Sequence, residues 1–416
     1  MKRRTGLAIA AMAITAMSLA ACSSGDGGGS ADGQAKLSIL SWDGEAVMQP
    51  VIDAFEKANP DVTLDVSYSP PVQEYISTLQ TRVLSGTAPD VFLIAAENKT
   101  NLIDGGHVLD LAGESFLDGI PDMNQRTYGR DGAVYGLSVS SWGSGIMYNV
   151  DMLKDVGWTE PPATWDEFLE LCNALKDAGI STPYLEALDG IPTALVAFLG
   201  ARDASQDFQM DAAIFDGSSS FEEEWTPALE QYNRLFTEGI ETSTVAGIKP
   251  DQIIDEFAAG RVAMFPAGPW NVAGIREKAP DLNIAMMQVP GADGGEPYLA
   301  GAASPGWAIN PKSENIDLAK TFLSFMASEE GISVYQEASN AITVTPNFDP
   351  VVDEAFAPLV PNIREGAFYL PQIAWTRAED VLNIEATAQI QLMALGQATP
   401  EQVAAALDAK LAANPE

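Results

Sequence analysis

Residues 132–169 read GAVYGLSVSSWGSGIMYNVDMLKDVGWTEPPATWDEFL. The segment opens with alternating strand formers, Val134, Tyr135, Leu137 and Val139, and passes through a Gly/Ser-rich patch, Ser140 to Gly145, that carries Trp142. A second strand-like run, Ile146, Met147 and Tyr148, follows. Then Thr164-Trp165-Asp166-Glu167 forms a capping box, in which the threonine hydroxyl serves the third helical N–H and the glutamate reaches back. Strand, small-residue patch, strand and capped helix predict that the chain here leaves one lobe, crosses a hinge and founds a second. Trp142 then lies near the mouth of the cleft between them.

Working outward, the segment from Lys36 to Ile94 predicts a βαβαβ unit. Lys36–Leu40 is a short strand, and the helix after it shows Val47, Val51 and Phe55 at i, i+4 and i+8, with Pro50 an awkward interior residue. Val62–Tyr68 alternates cleanly, Ile76, Leu79 and Val83 mark a second helix, and Asp90–Ile94 is a continuous apolar strand suited to burial on both faces. Three strands alternating with two helices make an α/β fold with a parallel sheet. Ligands of such sheets sit beyond the carboxyl ends of the strands, which here means Trp42-Asp43 and Glu97-Asn98. Downstream, Gly260–Phe265 and Asp281–Val289 read as strands. Helices are expected at 316–328, 377–395 and 400–412, the last opened by a second capping box at Thr399 with Pro400 in its first turn.

At 416 residues, the chain exceeds what one core usually organises. The formal charge of −36 repels nucleic acid and anionic lipid, and leaves neutral or cationic small ligands as the natural partners. One histidine, His107, and two cysteines rule out His-rich zinc sites. No G-x-S-x-G elbow, phosphate-binding loop or EF-hand pattern occurs, so no catalytic, metal or cofactor site is expected. His107 reads as an exposed turn residue, and Cys172 as a buried, inert thiol on the apolar side of its helix. Of the eight tryptophans, Trp158, Trp165 and Trp225 are assigned to structure. Trp42, Trp142 and Trp270, each after a strand and beside Gly, Ser or Asn, are assigned to ligand stacking. Trp307, Trp375 and Asn271 join Asp43, Glu97 and Asn98 as further candidates for a ligand site, where carboxylates would accept hydrogen bonds from hydroxyls.

The N-terminus carries Lys2-Arg3-Arg4, an apolar run from Leu7 to Leu19, and Leu19-Ala20-Ala21-Cys22. It is too short for an ordinary membrane span and reads as an export signal over residues 1–21. The last four residues resemble the lipobox of bacterial lipoproteins, in which the cysteine is lipidated. Ser23–Gln34 is a flexible tether with a reach of roughly 17–21 Å.

Seven motifs recur in order: Gly86–Phe92, Tyr135–Leu137, Met147–Asp151, Pro161–Phe168, Gly260–Met264 with Gly268–Trp270, Trp307–Asn315, and Ala319–Leu323. Together they resemble the extracellular solute-binding proteins of carbohydrate ABC importers, the maltose-binding-protein-like group (family 1). The resemblance implies a two-lobed α/β fold of the type II periplasmic-binding-protein kind, with three interlobe crossings. These fall near Gly136–Ser141, Gly301–Trp307 and Thr343–Asn347. It implies lobe 1 over 35–139 plus 307–345 and lobe 2 over 140–306 plus 346–416. Gly136, Ser138, Ser141, Gly301 and Thr345 are the implied hinge residues. The implied function is capture of a carbohydrate, a neutral oligosaccharide, and delivery to an ABC permease by a monomer anchored through Cys22 to the outer face of the membrane, without enzymatic activity, cofactor or nucleic-acid partner. A polyamine or other small solute bound by the same fold, or a secreted glycoside-active enzyme, are the alternatives.

Overall fold

The structure is a computed structural model that describes residues 34–70, 72–339 and 341–415, with backbone alone at Val72, Gln73 and Glu97. The expected export signal and Cys22 lie outside the described residues. Thirteen strands occur among the described residues: β1 (Ala35–Ser41), β2 (Val62–Tyr68), β3 (Val91–Ile94), β4 (Gly129–Arg130), β5 (Ala133–Val134), β6 (Ser140–Asn149), β7 (Thr182–Tyr184), β8 (Val262–Ala267), β9 (Ile284–Met287), β10 (Leu299–Ala303), β11 (Gly306–Ile309), β12 (Ile342–Thr343) and β13 (Phe368–Tyr369).

The expected βαβαβ unit is present. β1 pairs in parallel with β2 and β3, and β11 adds antiparallel to β3, giving the order β11-β3-β1-β2. All four residues of β3 are buried, as a continuous apolar run between two neighbours requires. The second sheet runs β13-β10-β6-β8-β7, with β9 and β12 also on β6. The fold is therefore a two-lobed α/β fold. The chain passes between these two sheets three times: between β3 and β6, between β10 and β11, and between β11 and β12. Pro50 does sit inside the helix Glu45–Ala58, in its second turn, where it cannot donate the usual bond to the Ala46 carbonyl. Both predicted capping boxes form: Glu167 N–H donates to Thr164 Oγ1 at 3.2 Å and Thr399 N–H to Gln402 Oε1 at 2.9 Å. Among the described residues no helix is long and apolar enough to cross a membrane.

Ser140–Gly145, expected as a pliant patch, is instead the first half of a ten-residue strand. Its small residues serve close approach. A Cβ on Gly145 would lie 2.2 Å from Met287 O, one on Gly301 would lie 2.3 Å from Trp142 O, and one on Gly143 would press on Ile363 and Leu299. At Gly136 a Cβ would meet Ile94 and the Gly306 backbone. The passage itself is organised by a buried amide that sequence patterning does not reveal. Asn124 Nδ2 donates to Ser138 Oγ at 3.0 Å, Ser141 Oγ at 2.9 Å and Ser140 O at 3.2 Å, while Ser138 Oγ donates to Ser304 O at 2.6 Å. Thr345, just after β12, is fully buried. Asn124→Ala leaves these buried hydroxyls short of partners, and unfolding in urea is expected to show a loss of about 2–4 kcal/mol.

In the second lobe Cys172 is buried and unpaired, its thiol pushed up by burial. Next to it Glu186 and Glu241 are both buried. Glu186 is raised to about 7 by burial, even though it accepts from Thr193 N–H and Tyr184 O–H. Burial, then the charge of Glu186, raises Glu241 as well. In the unfolded chain these acids ionise near ~4.3. For Glu186 the contribution is complete below that value and is lost as pH rises through about 7, and Glu241 acts in the same direction. The melting temperature should fall between pH 5 and 8, and Glu241→Gln, which has no proton to lose, should flatten that slope in a thermal melt.

Candidate functional site

The carboxyl ends of β1 and β3 open onto a cavity of about 330 Å³ between the two sheets. One wall holds Trp42, immediately after β1, with Ala95 and Ala96 after β3. The opposite wall holds Trp142 of β6, and Gln372, Glu379 and Asn383 close it from the C-terminal part of the chain. Each tryptophan is held edge-on by another ring: Trp42 by Tyr75 at 6.0 Å and Trp142 by Trp270 at 5.9 Å. Such T-shaped contacts fix a ring's orientation while leaving area on its face. The alternation of β6 explains the placement of Trp142. Gly143 and Gly145 turn towards Ile363 and Leu359, so Trp142 and Ser144 face the other way, towards the cleft cavities.

Trp270 is 59% exposed, at the start of the helix Pro269–Lys278 that follows β8. Its ring folds back over Gly268, where a Cβ would lie only 2.2 Å from it. Asn271 accepts from Gly268 N–H at 2.9 Å, and so caps this helix while also lining a smaller cavity of about 210 Å³ beneath Trp270.

The remaining candidates fall elsewhere. Asp43 turns away from the cavity and accepts from Tyr335 O–H at 3.1 Å, with burial raising its carboxyl. Asn98 is buried, and its Oδ1 accepts from Ala95 N–H at 2.9 Å, holding the start of the helix Ala96–Asp104. Glu97 lies in that helix's first turn, and its side chain is outside the described residues. Trp307 and Trp375 are corrections. Both are 1% exposed. Trp307 packs edge-on against Phe322, and Trp375 lies 6.0 Å from Trp225 with Phe221 beside them. Their large apolar surfaces are taken up by helices that a local reading of the sequence does not bring together. Conversely, Tyr128, Gln372 and Asn383 were not anticipated. Gln372 follows β13 and Asn383 lies in the helix Glu379–Ala394, and only the tertiary fold carries both to the cavity.

Among the described residues no group of three or more His, Cys, Asp or Glu could hold a metal. Two α/β lobes, three connections between them and an aromatic-walled cavity at the strand ends define a bilobal receptor for a small solute. The chain matches the bacterial extracellular solute-binding proteins over residues 42–332 and belongs to that family. It is 24% identical over 342 residues, 79% of either chain, to the multiple sugar-binding protein of Streptococcus mutans. It is 26% identical over 396 residues to the maltodextrin-binding protein MdxE of Bacillus subtilis, covering 91% of this chain and 92% of that one. A solved family 1 extracellular solute-binding protein from Bifidobacterium longum subsp. infantis superposes with a TM-score of 0.85 at 32% identity, covering 92% of this chain and all of that one.

Core and cleft tryptophans should separate cleanly by stability. Trp307→Ala and Trp375→Ala are each expected to cost about 3–5 kcal/mol in urea unfolding. Trp270→Ala should stay within about 1 kcal/mol of the parent.

Proposed function

We propose that the protein is a non-enzymatic carbohydrate receptor that closes on a neutral oligosaccharide and presents it to an ABC permease. The observation that carries this reading is the cavity itself, with Trp42 and Trp142 on facing walls and the Gln372 and Asn383 amides between them. Aromatic faces suit the C–H-rich faces of pyranose rings, and a side-chain amide offers hydroxyls both a donor and an acceptor. The cavity volume falls within the roughly 300–1,000 Å³ usual for small-molecule sites. The sugar ligands in the names of the two relatives support the same assignment. The lipobox-like Leu19–Cys22 supports export and anchoring to the outer face of the membrane. A single chain suffices to form the cavity, in keeping with a monomer.

The hinge falls to the three connections, with Gly136, Ser138, Ser141, Gly301 and Thr345 beside them, and the lobes divide at residues 139/140, 306/307 and 345/346. One observation favours a cationic solute instead: Glu379 and Asp380 line the cavity, and none of its lining residues is basic.

Thermal shift with neutral oligosaccharides and with polyamines separates the two readings. A ligand at 100 times its Kd stabilises by ~2.7 kcal/mol, an easily read shift. A response to polyamines alone would overturn the carbohydrate reading. With the active sugar in hand, Trp142→Ala should weaken binding tenfold or more by calorimetry, about 1.4 kcal/mol, while the melting temperature changes by only a few degrees.

A further inference from the structure

Lys99 joins the two lobes through segments that flank none of the three connections. It lies on the helix Ala96–Asp104, directly after β3 of the first sheet, and its Nζ donates to Ile373 O at 2.6 Å and to Thr127 O at 3.3 Å. Ile373 is fixed in the second lobe. Its short helix, Pro371–Ala374, follows β13, which pairs with β10, and precedes Trp375, which packs against Trp225 and Phe221. The bond from Lys99 to Ile373 therefore exists only while the lobes are together.

Both acceptors are carbonyl oxygens, which carry no charge. Closing thus exchanges the water around an ammonium for neutral partners, at a cost in solvation. The charged neighbours act in both directions. Glu379 and Asp211 favour the ammonium, Arg130 opposes it, and Arg126 and Asp203 line the cavity beside it. Burial outweighs them and lowers Lys99 to about 8. With the lobes apart and the amine in water, the ordinary value is ~10.4. A neutral amine still has two N–H groups, enough for the same two carbonyls, and buries no charge.

We propose that the proton on Lys99 holds the empty receptor open, and that its loss in an alkaline medium lets the lobes close without a ligand. The inference rests on the closing receptor proposed above, whatever solute that receptor takes. By linkage, the closed form holds the proton less tightly than the open one. The closed population is then lowest below pH about 8 and grows until the open form also loses its proton near ~10.4. Between pH 7 and pH 9 the closed-to-open ratio should rise about tenfold. Asp211, raised by burial to about 7, titrates below most of this window. A receptor closed while empty bars its own solute, so the proton keeps the closed shape for the occupied state.

The test is small-angle X-ray scattering of the ligand-free parent, Lys99→Met and Lys99→Arg proteins from about pH 7 to about pH 10. Circular dichroism at each pH reports that all three stay folded. The parent's radius of gyration should fall as the pH rises. Lys99→Met has no proton to lose and Lys99→Arg does not release one, so both should give radii that ignore pH, that of Lys99→Arg matching the open form. A parent radius that stays constant overturns the proposal, and so does a fall that persists in Lys99→Met. Maltotriose, raffinose and spermidine, added at pH 7, separate the two readings. If one of them compacts the parent and alkali does not, the closing receptor stands and the proton's role falls. If neither a solute nor alkali compacts it, the closing receptor falls and this inference falls with it.

Discussion

Everything in the cleft depends on how tightly β6 is held. It pairs with β10 and β12 along its first half and with β8 and β9 along its second. Neighbouring strands sit ≈ 4.8 Å apart, and helices press on the face that Gly143 and Gly145 present. Side chains at those two positions would force the layers apart. With the glycine face closed, alternation leaves Trp142 nowhere to point but the cleft. The aromatic wall is thus a by-product of strand packing and needs no flexible loop to display it.

The same rigidity moves the question of closure to the connections. Leu137 still bridges to Trp307 of the first sheet, and three residues later the chain is already paired in the second. Asn124 ties Ser138, Ser140 and Ser141 together within that interval. A joint this short, buried and fully hydrogen-bonded favours a concerted tilt of two stiff bodies over local unfolding, because each lost bond to a buried hydroxyl costs on the order of 1 kcal/mol or more.

Much of the first lobe could be read from local signals. The alternation of β2, the apolar run of β3 and the capping boxes at Thr164 and Thr399 are one-dimensional patterns, and each appears where it was expected. Trp42, at a strand end, and Trp142, in a Gly/Ser setting, both line the cavity. That setting misled about mechanism, since a glycine chosen for close approach and one chosen for pliancy look alike in sequence. Trp307 and Trp375 were misassigned for a related reason. An aromatic after a turn can face solvent or core, and the outcome depends on Phe322 and Trp225, far along the chain. Gln372, Asn383 and Asn124 were illegible because each acts only through segments that tertiary structure brings to it.

The cross-lobe contacts bear on how a ligand can drive closure. Lys99 reaches Ile373 and Arg126 reaches Phe208, each from chain preceding the first connection to a segment packed on the second sheet. If these contacts were strong, the closed form would be populated empty and a ligand could shift the equilibrium little. They are weakened by their own burial. Desolvation lowers the Lys99 ammonium to about 8, opposed in part by Glu379. That cost offsets much of what its two carbonyl bonds contribute. An ammonium sharing the cleft with bound hydroxyls would be better solvated than one sealed against carbonyls alone. A ligand can shift closure only through contacts it makes better in the closed form, and relief of this desolvation is one such contact.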